Sequence, residues 1–587
     1  AAAAVIATTD LGCTFRDEMV ALGEAAKRGL VTQRQIDDAA TRVFTMRIRL
    51  GMLDPAGAGP FDAIAPAAVH DADARALALR AARESIVLLK NDGVLPILAA
   101  AGRIAVIGAP AASPTVLRGN YHGTAVGASL PVDAMAAAFG AARVRFAQGS
   151  ALAEGVGVAV PRTVFGAGVS ARFWNGDAFI GPVVASRSDA QIDHDWSGIA
   201  PAAGVDPTRF SVEYSGTLTP PAPGNYAFEV AAPRCDPAGD VQSYVLAIEG
   251  VPEVRGTAAC GRGTPLAVPA IRFDGPRAFR LSYTFRGPTT GAGLSLHWKP
   301  DAAALRAEAV RAARAADVVV AFVGLDAGLE GEEMKVDAPG FAGGDRTTLE
   351  LPAVQRELLD AVLATGKPVV VVGMSGSPIA LGARGDKARA VVQAWYGGEA
   401  GGQAIAEVLA GTVNPSGKLP ITFYASAEQL PPFADYAMAG RTYRYFAGVP
   451  EHRFGHGLSY TRFGYGVPEV GLPDLRAGRE QSVSVEVRNE GSVAGEEVVQ
   501  LYVSTPGRAD TPLRSLKGFE RVALAPGEAR TVRFRLLPRD LAFADDDGVL
   551  RIRPGRYDLW VGGGQPDGGA PGSAASFEAE GLLALPR

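Results

Sequence analysis

The apolar pattern of the chain changes period at about residue 156 and changes back at about residue 300. On either side of that interval, short β-branched runs alternate with helical patterns. Residues 72–89 carry a helical pattern, Ile104 to Gly108 reads as a buried strand, and after 300 come a helix over 301–316, a strand from Val318 to Gly324, a helix over 353–364 and strands at 368–373 and 390–396. Strands that alternate with helices of this length predict parallel βαβ units. Inside the interval the period is two: Phe210, Val212 and Tyr214; Tyr226, Phe228 and Val230; Tyr244, Leu246 and Ile248; Phe279, Leu281, Tyr283 and Phe285. That alternation predicts an antiparallel β-sandwich. A pattern that stops and resumes implies an insertion. Residues 67–155 and 301–462 are therefore read as one α/β sandwich domain, and 156–300 as a β-sandwich inserted into it. Alternation returns at Val483, Val485 and Val487 and runs to Tyr557, Leu559 and Val561, so 463–587 reads as one immunoglobulin-like sandwich. Residues 1–66 differ again. Thr32 and Gln35 form a capping-box pair ahead of Ile36, Ala39, Ala40, Val43, Met46 and Leu50 at helical spacing, and Gly51 and Pro55 stop that helix. Two helices and about one short strand close no core, so this stretch reads as the end of a larger domain.

Composition narrows the function. With 48% hydrophobic and 20% charged residues over 587 positions, the chain is a globular protein of several domains. Its net charge of −5 is spread without long blocks, which argues against a nucleic-acid partner because no basic stripe is present to displace counterions. No apolar segment is long enough to span a bilayer, so no membrane partner is expected. The opening Ala1-Ala2-Ala3-Ala4-Val5-Ile6 lacks the features of a signal peptide. The compartment stays open, with a periplasmic or secreted setting preferred. Cys13, Cys235 and Cys260 are too few for a disulfide framework; Cys235 and Cys260 share one β-rich segment, where pairing and two buried thiols are equally compatible with the sequence.

The run Val318 to Gly324 feeds into Leu325-Asp326-Ala327-Gly328-Leu329-Glu330-Gly331-Glu332-Glu333. Open α/β sheets bind ligands beyond the carboxyl ends of their strands, which is where this acidic loop falls. Three carboxylates within four residues disfavour one another's charge. A carboxyl group kept protonated near neutral pH is what a general acid requires. The bland reading is a solvated acidic loop.

Other signals are weaker. Gly397-Gly398-Glu399-Ala400-Gly401-Gly402 follows a strand and precedes a helix, but lacks both the P-loop lysine and the dinucleotide spacing, so close packing of helix on sheet is the better reading. Asp193-His194-Asp195 has ligand-type residues, yet a strand turns His194 away from its neighbours, and no metal or cofactor is expected. Trp395 and Tyr396 suit either a sugar platform or the core.

Taken in order, several blocks resemble those of family 3 glycoside hydrolases, the retaining β-glucosidases and β-xylosidases. They are Glu84-Ser85-Ile86-Val87-Leu88-Leu89-Lys90-Asn91, Arg103-Ile104-Ala105-Val106-Ile107-Gly108, Ala394-Trp395-Tyr396-Gly397-Gly398-Glu399, Asn414-Pro415-Ser416-Gly417-Lys418-Leu419-Pro420, Gly440-Arg441-Thr442-Tyr443-Arg444-Tyr445-Phe446 and Phe454-Gly455-His456-Gly457-Leu458-Ser459-Tyr460. Thr9-Asp10-Leu11 and Gly51-Met52-Leu53-Asp54 resemble the end of that family's (β/α)8 barrel. The insertion, with Asp195-Trp196 and Phe210-Ser211-Val212-Glu213-Tyr214, is similar to the protective-antigen-type module of some members. The C-terminal sandwich resembles their fibronectin type III-like domain.

The resemblance implies a fold of barrel remnant (1–66), interrupted α/β sandwich, inserted β-sandwich and fibronectin-like domain. It implies an exo-acting enzyme that hydrolyses terminal β-linked sugars from an oligosaccharide or glycoside. Retention takes two carboxyls roughly 5 Å apart. In related members the acid is a Glu followed by Gly in a loop that ends in Asp-Arg. Here Glu330-Gly331 and Asp345-Arg346 fit that description, which makes Glu330 the first candidate for the general acid/base, with Glu333 and then Glu332 as alternatives. Arg346 would hold the loop through a bidentate carboxylate pair or form an ordinary ion pair. The family's nucleophilic aspartate lies upstream of the Thr-Asp-Leu block, so it is expected to be absent from these residues, and Asp10 does not replace it. On this reading the chain is a fragment and inactive alone. The rival reading is a non-catalytic carbohydrate-binding protein.

Overall fold

The computed structural model describes every residue except 13–14, 66–67, 99–101, 232–238, 258–265, 288–290, 300, 333–335, 546 and 587. All three cysteines, and with them the pairing considered for Cys235 and Cys260, lie outside the described residues. The chain divides into two units, Ala1–Leu77 and Ala78–Arg587.

The first unit is helical, with Ala2–Ile6, Phe15–Lys27 and Gln33–Arg49. The capping box forms: the Gln35 N–H donates to Thr32 Oγ1 at 3.3 Å, and the Thr32 N–H donates to Gln35 Oε1 at 2.9 Å. Arg42 donates to both oxygens of Asp10, at 2.7 and 2.6 Å, and holds that carboxyl below its usual range. The short strand expected here is not found among the described residues. The alanine-rich opening is a helix instead, because alanine has the highest helix propensity and a lone strand has nothing to pair with.

The second unit is organised around a six-stranded sheet. Its strands are β1 (Val87–Asn91), β2 (Ile104–Ile107), β3 (Val144–Ala147), β4 (Val318–Gly324), β5 (Val369–Met374) and β6 (Ala390–Gln393), in the order β1-β6-β5-β4-β2-β3. All neighbours are parallel except β1 and β6. The helical pattern read through residue 89 therefore breaks early: the helix is Ala72–Ser85, and Val87 onward is an edge strand. Four consecutive apolar residues fit either period, and pairing with β6 decides between them.

Chain direction across the sheet reverses at β2. Strand β3 lies on one side of β2 and β4 on the other, and from β4 the sheet grows outward to β6. The loops that follow β2 and β4 thus leave from a topological switch point, where open α/β sheets form their ligand crevice. A glycine follows β2 and another ends β4, each where a side chain would clash with backbone. A Cβ on Gly108 (φ +117) would sit 1.9 Å from the Phe322 carbonyl oxygen, and one on Gly324 (φ +150) 1.8 Å from that of Met374.

Between β3 and β4, residues 158–299 form two antiparallel sheets. One runs Val254–Thr257, Val241–Ile248, Arg277–Arg286, Arg209–Leu218, Val169–Asn175, Ala185–Asp189. The other is centred on Gly293–Lys299, which pairs with Gly224–Ala231, Val158–Ala159 and Asp193–Asp195. Alternation holds strictly along Arg277–Arg286, where Phe279, Leu281, Tyr283 and Phe285 are all buried. From Phe463 onward, strands that pair antiparallel except for Asp474–Arg476 on Gly572–Glu580 build a further sandwich with a core of Val483, Val485, Leu501, Tyr557 and Leu559.

Candidate active site

The acidic loop after β4 is fastened at three places. At its root, Asp326 is buried; it accepts from Thr115 Oγ1, from the loop after β2, at 2.9 Å, and from the Gly328 N–H at 2.9 Å. Burial pushes the Asp326 carboxyl above its ordinary range, partly offset by these donors. At its far end, Arg346 donates to Ser377 Oγ at 2.9 Å, to the Pro378 carbonyl at 2.5 Å and to the Glu350 carbonyl at 3.2 Å. Arg346 does hold the loop, but through a hydroxyl and carbonyl oxygens rather than the bidentate carboxylate pair considered from the sequence. Burial lowers its guanidinium from the ordinary value, and the nearby Glu330 charge opposes that shift.

The middle anchor is Glu330. Its Oε1 accepts from the Gly376 N–H at 2.7 Å and from the Tyr396 hydroxyl at 2.5 Å; its Oε2 accepts from Ser377 Oγ. Burial, and then the Glu330 charge, push the Tyr396 phenol far above its ordinary value, so Tyr396 stays a donor. Both oxygens of Glu330 are thereby engaged by the segments that follow β5 and β6. Glu332, two residues on, is exposed, and its Oε2 accepts from the Tyr121 hydroxyl at 2.5 Å. Glu333 lies outside the described residues.

The remaining candidates have structural partners. Trp395 (φ +55) donates to the Ser85 carbonyl at 3.0 Å and meets Phe423 edge-on. A Cβ on Gly402 would lie 2.2 Å from the Ser129 carbonyl oxygen, so the glycine-rich segment packs a helix against neighbouring backbone. Asp193 accepts from Ser295 Oγ at 2.6 Å, Asp195 pairs with Arg118 at 2.9 Å, and His194 stacks on Trp196 and Tyr214. Among the described residues no group of His, Cys, Asp and Glu is arranged to hold a metal ion, and no helix is long and apolar enough to cross a membrane. The sequence marked Asp326 only as a member of the acidic loop, and gave no role to Tyr121 or Ser377. Of the latter two, Tyr121 alone left a trace, as an aromatic residue in the glycine-bounded stretch Gly119-Asn120-Tyr121-His122-Gly123 after a strand.

The glycosyl hydrolase family 3 C-terminal domain matches residues 86–460. The chain belongs to glycosyl hydrolase family 3. A fibronectin type III-like domain matches residues 497–565. The family 3 chain is 33% identical over 577 residues to a xylan 1,4-beta-xylosidase of Xylanibacter ruminicola, covering 95% of itself and 64% of that protein. It is 31% identical over 581 residues to a beta-glucosidase of Rhizobium radiobacter, covering 93% and 67%. The chain thus spans about two thirds of the length of these relatives. The crystal structure of a beta-glucosidase from Kluyveromyces marxianus in complex with glucose shares the fold with a TM-score of 0.69, at 24% identity, over 98% of this chain and 70% of that one. A beta-glucosidase from Streptomyces venezuelae in complex with D-glucose gives 0.62 at 28% identity, over 95% and 66%.

Proposed function

We propose that this chain supplies the acid/base half of a retaining, exo-acting β-glycosidase that removes terminal glucose or xylose from β-linked substrates, and that Glu332 is the proton donor. In this reading residues 1–66 correspond to the end of a (β/α)8 barrel, 156–300 to a protective-antigen-type module, and no residue of the chain is assigned as nucleophile. One observation carries the choice of donor. Glu330, the first candidate from the sequence, has both oxygens engaged by Gly376, Ser377 and Tyr396, whereas Glu332 is exposed and accepts from the Tyr121 hydroxyl through Oε2. Glu330 then acts as the anchor that sets where Glu332 stands. The names of the relatives, xylosidase and glucosidase, support the substrate class.

The donor protonates the departing oxygen and afterwards takes a proton from the water that releases the glycosyl-enzyme. With a family 3 barrel joined upstream, Glu332→Gln is expected to slow hydrolysis of poor-leaving-group glycosides by roughly 10² to 10⁴-fold and nearly to spare the first step with a dinitrophenyl glycoside. Glu330→Gln is expected to lower both substrate classes alike. Leaving-group dependence in Glu330→Gln or Glu333→Gln, and none in Glu332→Gln, would overturn the assignment.

A further inference from the structure

Tyr121 is an anomaly that packing does not explain. It is 83% exposed, yet its backbone sits at φ +57, in the left-handed region that a bulky side chain rarely enters. Strain of this kind persists only where surrounding contacts impose it. Those contacts come from the antiparallel sheets of residues 158–299. On one side of Tyr121, Arg118 Nη1 meets Asp195 Oδ2 at 2.9 Å, with side chains only 13% and 6% exposed. On the other, Thr124 Oγ1 donates to the Ser197 carbonyl. Asp195 is itself braced, its Oδ1 accepting from the Ser197 N–H at 3.0 Å. Between Asp195 and Ser197, Trp196 is buried against Phe173, Phe210 and Tyr283, with centroids 6.3, 5.5 and 6.1 Å away. The arch 118–124 is therefore tied at both feet to the tripeptide Asp195-Trp196-Ser197, whose central residue is buried. Its crown passes the anchor of the acidic loop, since a Cβ on Gly119 would lie 3.6 Å from the Tyr396 ring. It then delivers the Tyr121 hydroxyl to Glu332 at 2.5 Å.

We propose that Tyr121 is a positioning residue for the Glu332 carboxylate, and that residues 195–197 clamp it in place, so that the antiparallel sheets help set the geometry of the proton donor. The catalytic meaning of the clamp rests on the reading of Glu332 as that donor; the mechanical coupling does not. The test uses the full chain and needs no turnover. 3-Fluorotyrosine is placed at 121, and amide hydrogen exchange is followed in peptides covering 118–124 and 326–335. Glu332→Gln is expected to shift the fluorine resonance, and Asp195→Asn to shift it and broaden it. Asp195→Asn is also expected to speed exchange in both peptides on the order of tenfold. Tyr121→Phe is expected to speed exchange in 326–335 while leaving 195–197 as in the parent. Glu213→Gln, on the same sheets but paired with Arg172, should change neither readout. Thr124→Val removes only the second foot and repeats the test should Asp195→Asn misfold. A fluorine signal and acidic-loop exchange unchanged in both Asp195→Asn and Thr124→Val would overturn the clamp. A clamp that responds while leaving-group tests point away from Glu332 would instead overturn the choice of donor.

Discussion

At the scale of single residues, burial decides which ionisable groups do work. His452 and His456 stack at 5.5 Å, and His456 Nε2 lies 2.9 Å from the Leu89 carbonyl. Burial first, and then the His456 charge, lower His452 from 6.5 to about 4. The folded value is below the unfolded one, so on acidification the unfolded chain takes up the proton first. The stability this neutral histidine contributes is present above pH 6.5 and lost as pH falls through about 4. The loss should approach roughly 3 kcal/mol. Denaturant unfolding at pH 7, 5.5 and 4.5 checks it: His452→Gln should flatten the decline, and an equally steep decline in that variant would show that other groups cause it. The same scale explains why the acidic loop was legible and the contacts of its glutamates were not. Charge clustering after a buried strand marks the loop. Which glutamate is engaged depends on Ser377 and Tyr396, 47 and 66 positions from Glu330, and on Tyr121, 211 positions from Glu332. No local pattern reports contacts over such separations.

At the scale of elements, periodicity carried most of the α/β sheet. The strand at Val318 and the helices now seen at Ala302–Ala315 and Ala353–Leu363 follow from it, the first capped by Asp301, whose side chain accepts from the Ala303 N–H. It misread the junction at Ile86, where a helix face and a strand run share the same residues, and the first unit's lone strand, where helix propensity prevails. What the pattern did not convey is how tightly the strand ends are closed. A Cβ at residue 324 would strike the Met374 carbonyl in a conformation that favours glycine. Gly324→Ala should therefore destabilise the second unit by about 3 kcal/mol or more. Thermal unfolding reads this directly, and a melting temperature within a degree of the parent would mean that β4 and β5 part without cost.

At the scale of the molecule, the α/β segment and the fibronectin-like sandwich are joined by an ion pair withdrawn from water. Lys418 Nζ lies 3.0 Å from Glu497 Oε1, with side chains 12% and 4% exposed, and also donates to the Gly457 carbonyl at 2.8 Å. Replacing the lysine strands a buried carboxylate, so Lys418→Met should cost roughly 3 to 5 kcal/mol, and Lys418→Met with Glu497→Leu should recover much of it. Independent, additive losses would contradict the pairing. The same second unit brings the loops after β2 and β4 together at one end of the sheet, and the account turns on their division of labour, with Glu330 as anchor and Glu332 as donor. Azide separates the two roles. It attacks a glycosyl-enzyme without help from a general base, so only removal of the true acid/base makes it a productive nucleophile. With a family 3 barrel in place and a dinitrophenyl glycoside as substrate, Glu332→Gly should be accelerated by azide and yield the β-glycosyl azide, while Glu330→Gly should give neither. Rescue of Glu330→Gly, with none for Glu332→Gly, would contradict the account.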